Sequence, residues 1–264
     1  MRQNLRSEVE NIIRVCLRKK LLVYTPESTN MPFHYRLLGR DRMALFSFIH
    51  SFSTSFGTSI FEPVAVALAR ERFVRAEKQY ALGKEIYAAC QRAIQDIITN
   101  LSIAPRPDKT RELRILREHL NGDFRELKTV RADLFLEDKN GVRYLFDIKS
   151  PKPNSNEFKR FKQTLLEWAG IEMTARPDVT VNTFIAIPYN PYEPEPYKRW
   201  TMAGMIDVGA ELKVAAEFWD FIGGDGAYEE LLDCFERVGV QMRDEIDERF
   251  KEFVKMGTAS TVRC

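Results

Sequence analysis

Three side chains are of the right types, at the right spacing, to meet: Asp133, Asp147 and Lys149. The segment Arg131-Ala-Asp-Leu-Phe-Leu-Glu, the turn-forming Asp138-Lys-Asn-Gly141 and the run Val142-Arg-Tyr-Leu-Phe-Asp-Ile148 read as two strands of a β-hairpin. Side chains alternate along a strand, so Asp147 and Lys149 share one face while Tyr144, Phe146 and Ile148 point the other way, into the core. The neighbouring strand carries Asp133, and two carboxylates and one ammonium can converge.

That grouping suits hydrolysis of a phosphodiester. The reaction needs a hard cation against the developing negative charge, a deprotonated water as nucleophile and a positive group near that water. Asp133, Asp147 and the Ile148 carbonyl offer the oxygen-only surroundings that Mg²⁺ prefers, with Lys149 orienting and activating the water. An Asp-x-Lys alone is common, and the competing reading is an ordinary surface hairpin with a salt-bridged Asp and Lys.

The elements that must hold this grouping change character along the chain. Helical periodicity covers residues 4–21, where Leu5, Val9, Ile12, Ile13, Cys16 and Leu17 form one stripe, and predicts further helices over 42–52, 60–79, 82–100 and 109–121. Strands are predicted over 129–137 and 142–148, a helix capped by Ser155 or Asn156 over 155–173, and a buried strand over 179–187. The order there is β-β-α-β. A proline-rich loop, Pro188 to Pro196, leads to a Lys-Arg-Trp cluster, and helices are predicted over 210–221 and 227–256. The expected architecture is α/β, a mixed sheet flanked by helices, with a helical N-terminal part over 1–128, a core over 129–200 and C-terminal helices over 201–264, all in a single domain.

Composition bounds the class. A chain of 264 residues with 44% hydrophobic content can bury a full core. Its longest apolar run, Val64 to Ala69, is far short of the roughly 20 residues a bilayer-spanning helix needs. The opening Met1-Arg-Gln-Asn-Leu-Arg6 has charge but no apolar stretch behind it, and the expectation is a cytoplasmic protein. Cys16, Cys90, Cys234 and Cys264 include no Cys-x-x-Cys pair, and His34, His50 and His119 no His-x-x-x-His, so reduced thiols are expected and zinc is not. From Glu217 onward twelve acidic residues stand against six basic ones, which leaves +8 on the preceding residues. Between Arg143 and Lys162 six basic residues face two acidic ones, a one-sided patch suited to a polyphosphate partner.

With these residues in view, the chain resembles the PD-(D/E)xK nuclease superfamily, whose hairpin core carries Asp on one strand and (D/E)-x-K on the next. Asp133 and Asp147-Ile-Lys149 match residue by residue, with Ala132 where the literal pattern has Pro. Over about residues 57–232 the chain is further similar to type II restriction endonucleases of the TdeIII/MjaII group. The stretches that carry this likeness are Phe61-Glu-Pro-Val-Ala, Phe146-Asp-Ile-Lys-Ser-Pro-Lys-Pro-Asn154, Ala186-Ile-Pro-Tyr-Asn-Pro-Tyr192 and Glu217-Phe-Trp-Asp-Phe-Ile-Gly-Gly224. The resemblance implies a restriction-endonuclease-like fold and Mg²⁺-dependent cleavage of both DNA strands by a homodimer. It further implies 5′-phosphate ends, a GGNCC-type palindrome as the site, and a cognate DNA methyltransferase as genetic rather than physical partner. It also brings in Glu62 as a further acid beside the metal, although Ser59-x-x-Glu62 reads equally as a helix capping box.

Around this centre, Lys152, Lys159, Lys162 and Gln163 are candidates for phosphate contact, against the alternative of a solvated helix face. The loop bearing Tyr189, Asn190, Lys198, Arg199 and Trp200 is the candidate for base readout, against a rigid crossover with aromatic anchors. Phe218, Trp219 and Phe221 read as core or dimer contacts, and Leu231, Leu232, Phe235 and Val238 as dimer contacts. Two other functions share the motif: a repair or junction nuclease, and a non-catalytic DNA-binding module on the same fold.

Overall fold

The computed structural model describes residues 1–25, 31–104, 106–154, 157–198, 202 and 204–259. They fall into two compact units, one made of Met1–Val64 with Glu229–Cys264, the other of Ala65–Tyr228.

The second unit is built on a mixed sheet of five strands. In spatial order these are β1 (Arg75–Ala81), β4 (Arg131–Glu137), β5 (Arg143–Ile148), β6 (Val181–Ile187) and β7 (Leu212–Val214). β1 pairs with β4 and β4 with β5 antiparallel, whereas β5 pairs with β6 and β6 with β7 in parallel. At the β4–β5 turn Asp138 Oδ1 accepts the Asn140 and Val142 N–H groups and Gly141 adopts φ +76°. Between β5 and β6 the chain crosses over through α7 (Phe158–Ala175), which packs on β6 and on α5 (Ala88–Ile103). Of α7, Phe158, Phe161, Leu165, Leu166, Trp168 and Ala169 are buried, the stripe its spacing predicts.

Both faces of the sheet are covered, which explains why β6 is apolar almost throughout. On the face away from Asp147, Phe146 stacks on Phe184 at 5.0 Å and meets Phe218 of α9 (Ala216–Gly223) at 5.4 Å. The Asp147 face is core as well: its neighbour on that face, Leu145, has no exposure at all. Asp147 itself is only 7% exposed.

Three predicted helices contain strands. Residues 60–79 divide into α4 (Glu62–Ala69) and β1, and residues 82–100 into β2 (Glu85–Tyr87) and α5. β2 pairs with β3 (Phe124–Glu126) in a small second sheet. Residues 210–221 divide into α8 (Val208–Glu211), β7 and α9. The predicted helix over 109–121 is present as α6 (Lys109–Glu118), its first turn capped by Asp108 Oδ1 accepting from the Arg111 N–H.

The first unit is helical: α1 (Gln3–Val23), α2 (Pro32–Leu38), α3 (Arg40–Phe56), most of α10 (Ala227–Gln241) and α11 (Arg243–Ala259). α11 lies against α3 through Phe48, Phe250 and Phe253, with Tyr24 edge-on to Phe48. Leu231 and Val238 are buried in this unit, so they are core residues and not open dimer contacts; Leu232 is 45% exposed. α3 runs into α4 through a π-helical stretch, Gly57–Phe61, and Ser59 accordingly caps no helix end. Among the described residues no helix is long and apolar enough to cross a membrane.

Candidate active site

The site sits where β4 and β5 part. The β4–β5 register ends at Leu134↔Phe146, and one step further Asp133 lies across from Asp147 with both side chains on one face. There a side chain replaces the ladder: Asp133 Oδ2 accepts the Ile148 N–H at 2.8 Å. Asp133 Oδ1 accepts from Gln79 Nε2 at 3.2 Å. Lys149 is held in the sheet by its N–H to the Ala186 carbonyl, and its Nζ reaches Asp147 Oδ1 at 2.5 Å. The same Nζ lies 5.2 Å above the Phe161 ring of α7, a cation–π contact that keeps the stem against the helix.

Burial and like charge act together on Asp147. Loss of water raises its carboxyl first, the Lys149 ammonium opposes this, and the neighbouring Asp133 carboxyl raises it again, to about 6. Two adjacent carboxylates, one buried and one half-buried, with a single ammonium beside them are short of positive charge. Hard oxygen donors in that condition suit a divalent cation such as Mg²⁺, which binds through one or two carboxylates and keeps several waters. The oxygen donors the sequence singles out for such an ion, Asp133, Asp147 and the Ile148 carbonyl, lie together at this strand end.

The other residues singled out from the sequence scatter. Lys152 is exposed, 5.2 Å over the Tyr192 ring, and Lys159 is exposed on α7. Gln163 donates to Glu167 at 2.7 Å on its own helix. Lys162 is a correction, since it has no exposure and its Nζ pairs with Glu112 at 2.5 Å and Glu211 at 2.6 Å. Lys109 completes this buried group, 2.9 Å from Glu211 and 2.6 Å from the Thr183 hydroxyl. Lys162 thus ties α7 to α6 and α8, and its amine does not face solvent.

In the loop after β6, Tyr189 is 46% exposed and Lys198 is exposed. Asn190 braces the loop from both ends of its amide, accepting the Tyr192 N–H at 3.0 Å and donating to the Glu195 carbonyl at 2.7 Å. The Tyr197 hydroxyl donates to the Pro151 carbonyl at 3.0 Å, which joins this loop to the segment that follows Lys149. Arg199 and Trp200 lie outside the described residues, as do Ser155 and Asn156. Phe218 and Trp219 are core, the Trp219 indole donating to the Pro188 carbonyl at 2.8 Å. Glu62, 2% exposed at the start of α4, belongs to the helical unit.

Gln79 was not legible. Its strand, Arg75-Ala-Glu-Lys-Gln-Tyr-Ala81, is made largely of good helix formers, and only its pairing with β4 reveals it.

A five-stranded mixed sheet flanked by helices, with two acids and a lysine at a strand end, defines a restriction-endonuclease-like fold. Comparison with known proteins is specific. The family model described as "Type II restriction endonuclease, HinfI" matches residues 1–239, and the chain belongs to that family. It is 29% identical over 223 residues to type II restriction enzyme HgiCII of Herpetosiphon aurantiacus, covering 83% of this chain and 81% of that one. With type II restriction enzyme MjaII of Methanocaldococcus jannaschii it shares 28% identity over 237 residues, covering 79% of this chain and 62% of the other. The protein is a site-specific deoxyribonuclease, an enzyme class that acts on double-stranded DNA.

Proposed function

We propose that this restriction endonuclease cleaves DNA with Mg²⁺ at a PD-(D/E)xK centre formed by Asp133, Asp147 and Lys149, leaving 5′-phosphate ends at a short palindrome of the GGNCC type. The observation that carries the reading is the pairing of two carboxylates where the β4–β5 ladder ends, with the Asp147 carboxyl raised to about 6 by burial and by its neighbour Asp133. Asp133, Asp147 and the Ile148 carbonyl would hold the cation. When bound, it supplies electrostatic relief for the charge that builds on the scissile phosphate and lowers the pKa of water.

The chain's own residues do the rest. Asp147 is buried away from bulk water, so its charge interacts more strongly than at a surface. The Ile148 N–H holds Asp133 with one oxygen turned to the sheet. Lys149, paired with Asp147 here, would present its ammonium to the attacking water and stabilise hydroxide character there. Lys152 and Lys159, both exposed, are proposed phosphate contacts, and Tyr189 and Lys198 with Arg199 and Trp200 the base-reading set. Asn190 serves that set as its brace. Gln163 sits beside Lys159 and Lys162 on α7, within reach of the backbone only if it leaves Glu167. Glu62 enters as a further metal ligand on the resemblance alone.

The family match runs over 1–239 and so spans both units, which supports their acting together as one domain. Cytoplasmic location, a homodimer on a two-fold symmetric site, and a cognate methyltransferase that protects the host complete the reading.

Digestion of a plasmid of known sequence, followed by sequencing of the ends, tests it. Discrete fragments with 5′-phosphates at one palindrome, abolished by EDTA, are expected. A smear, or cutting confined to branched junctions, would favour a repair nuclease, and binding without cutting a non-catalytic module.

A further inference from the structure

Resting on the reading of Asp133 as a metal ligand, we propose that Gln79 is a positioning residue whose side-chain amide holds the Asp133 carboxylate in its cation-receiving orientation. A left-handed kink in β1 aims that amide at its target.

The register isolates the position. Lys78 pairs with Leu134 and Tyr80 with Ala132, so no residue is inserted and Gln79 lies across from Asp133. Yet Gln79 has φ +51°, in a strand whose other residues keep negative φ. Few residues other than glycine adopt this conformation, Asn and Asp more readily than Gln. Arg131 Nη1 donates to the Gln79 carbonyl at 2.8 Å and thereby anchors the turned peptide. The consequence is one donor on each oxygen of Asp133: Gln79 Nε2 at 3.2 Å on Oδ1 and the Ile148 N–H at 2.8 Å on Oδ2.

Two donors, one from each neighbouring strand, set the plane of the carboxylate. Each oxygen has two lone pairs, so one on each stays open to an ion. The neutrality of Gln79 matters. A Lys or Arg here would supply the positive charge that the carboxylate pair lacks and would compete with the cation; an amide orients without competing. Backbone strain beside a reactive group, held by a further hydrogen bond, is the pattern expected where a conformation is kept for positioning. Were the kink only a packing irregularity, loss of the amide would leave ion binding untouched.

Binding of Mn²⁺ alone to the full chain, followed by electron paramagnetic resonance, is the direct test, with the Mg²⁺ dependence of cleavage beside it. Gln79→Gly accepts the left-handed backbone and removes the amide; Gln79→Met removes the amide at similar volume. Both are expected to weaken Mn²⁺ binding by roughly 10-fold and to raise the Mg²⁺ midpoint in parallel. Gln79→Gly should unfold in urea no earlier than wild type, which separates positioning from stability even if Gln79→Met fails to fold. Mn²⁺ affinity equal to wild type in Gln79→Gly overturns the proposal. Asp133→Ala distinguishes the two levels: if it loses metal and cleavage while Gln79→Gly keeps both, only the role of Gln79 falls. If Asp133→Ala itself binds and cuts like wild type, the metal-site reading falls with it.

Discussion

Asp147 is held in a state that costs the metal-free fold stability. Its carboxyl is raised from 3.8 to about 6, so keeping it ionised in the metal-free fold costs on the order of 3 kcal/mol. An acid raised on folding contributes its stability below its unfolded pKa and loses it as pH climbs through the folded one. Metal-free protein should therefore lose stability through this group as pH rises from about 4 to 6. Asp147→Asn removes that dependence, and at neutral pH it should unfold in urea with about 1–3 kcal/mol more stability than wild type, while cleaving no DNA. A variant equal to or below wild type in metal-free urea unfolding would contradict the assigned burial. In cleavage, the acid limb should move to lower pH as Mg²⁺ is raised, because the cation favours the ionised carboxylate.

At the scale of elements, the same sheet that presents the site shows what a sequence can and cannot reveal. The hairpin of β4 and β5, the crossover α7 and the strand β6 were legible because alternation, a turn signal and an amphipathic stripe are local patterns. β1 and β7 were not. β1 consists of helix-favouring residues held extended by β4, and β7 is three residues long between helices. Lys162 misled for a related reason: a lysine on a helix reads as solvated, and only the fold brings Glu112 and Glu211 to it. Removing one member of such a buried group leaves charge uncompensated. Lys162→Met should cost about 3–5 kcal/mol in urea unfolding and leave the Mg²⁺ midpoint of cleavage unchanged. Ala215 supplies the reverse case, with φ +49° and ψ −121° at the start of α9, a region suited to glycine. Ala215→Gly should raise stability by about 1 kcal/mol, the relief of strain exceeding the added chain entropy. A fall in the melting temperature would refute that account.

For the whole molecule, charge is distributed unevenly along the chain. The acidic excess lies from Glu217 onward, and the basic excess in the residues before it, among which Lys152 and Lys159 stand exposed. If both touch phosphates, Lys152→Ala and Lys159→Ala should each lower the slope of log binding constant against log salt by about 1, without changing the sequence cut. The claim on which the rest depends is that Asp133, Asp147 and Lys149 form the cleavage centre. Single-turnover cleavage of a plasmid carrying one site, by Asp147→Ala and wild type with circular dichroism matched, measures it most directly. The account predicts discrete cutting by wild type with Mg²⁺ and a loss of at least about 1,000-fold in the variant, of the size seen when a transition-state charge partner is removed. Cutting by Asp147→Ala at the wild-type rate would contradict it.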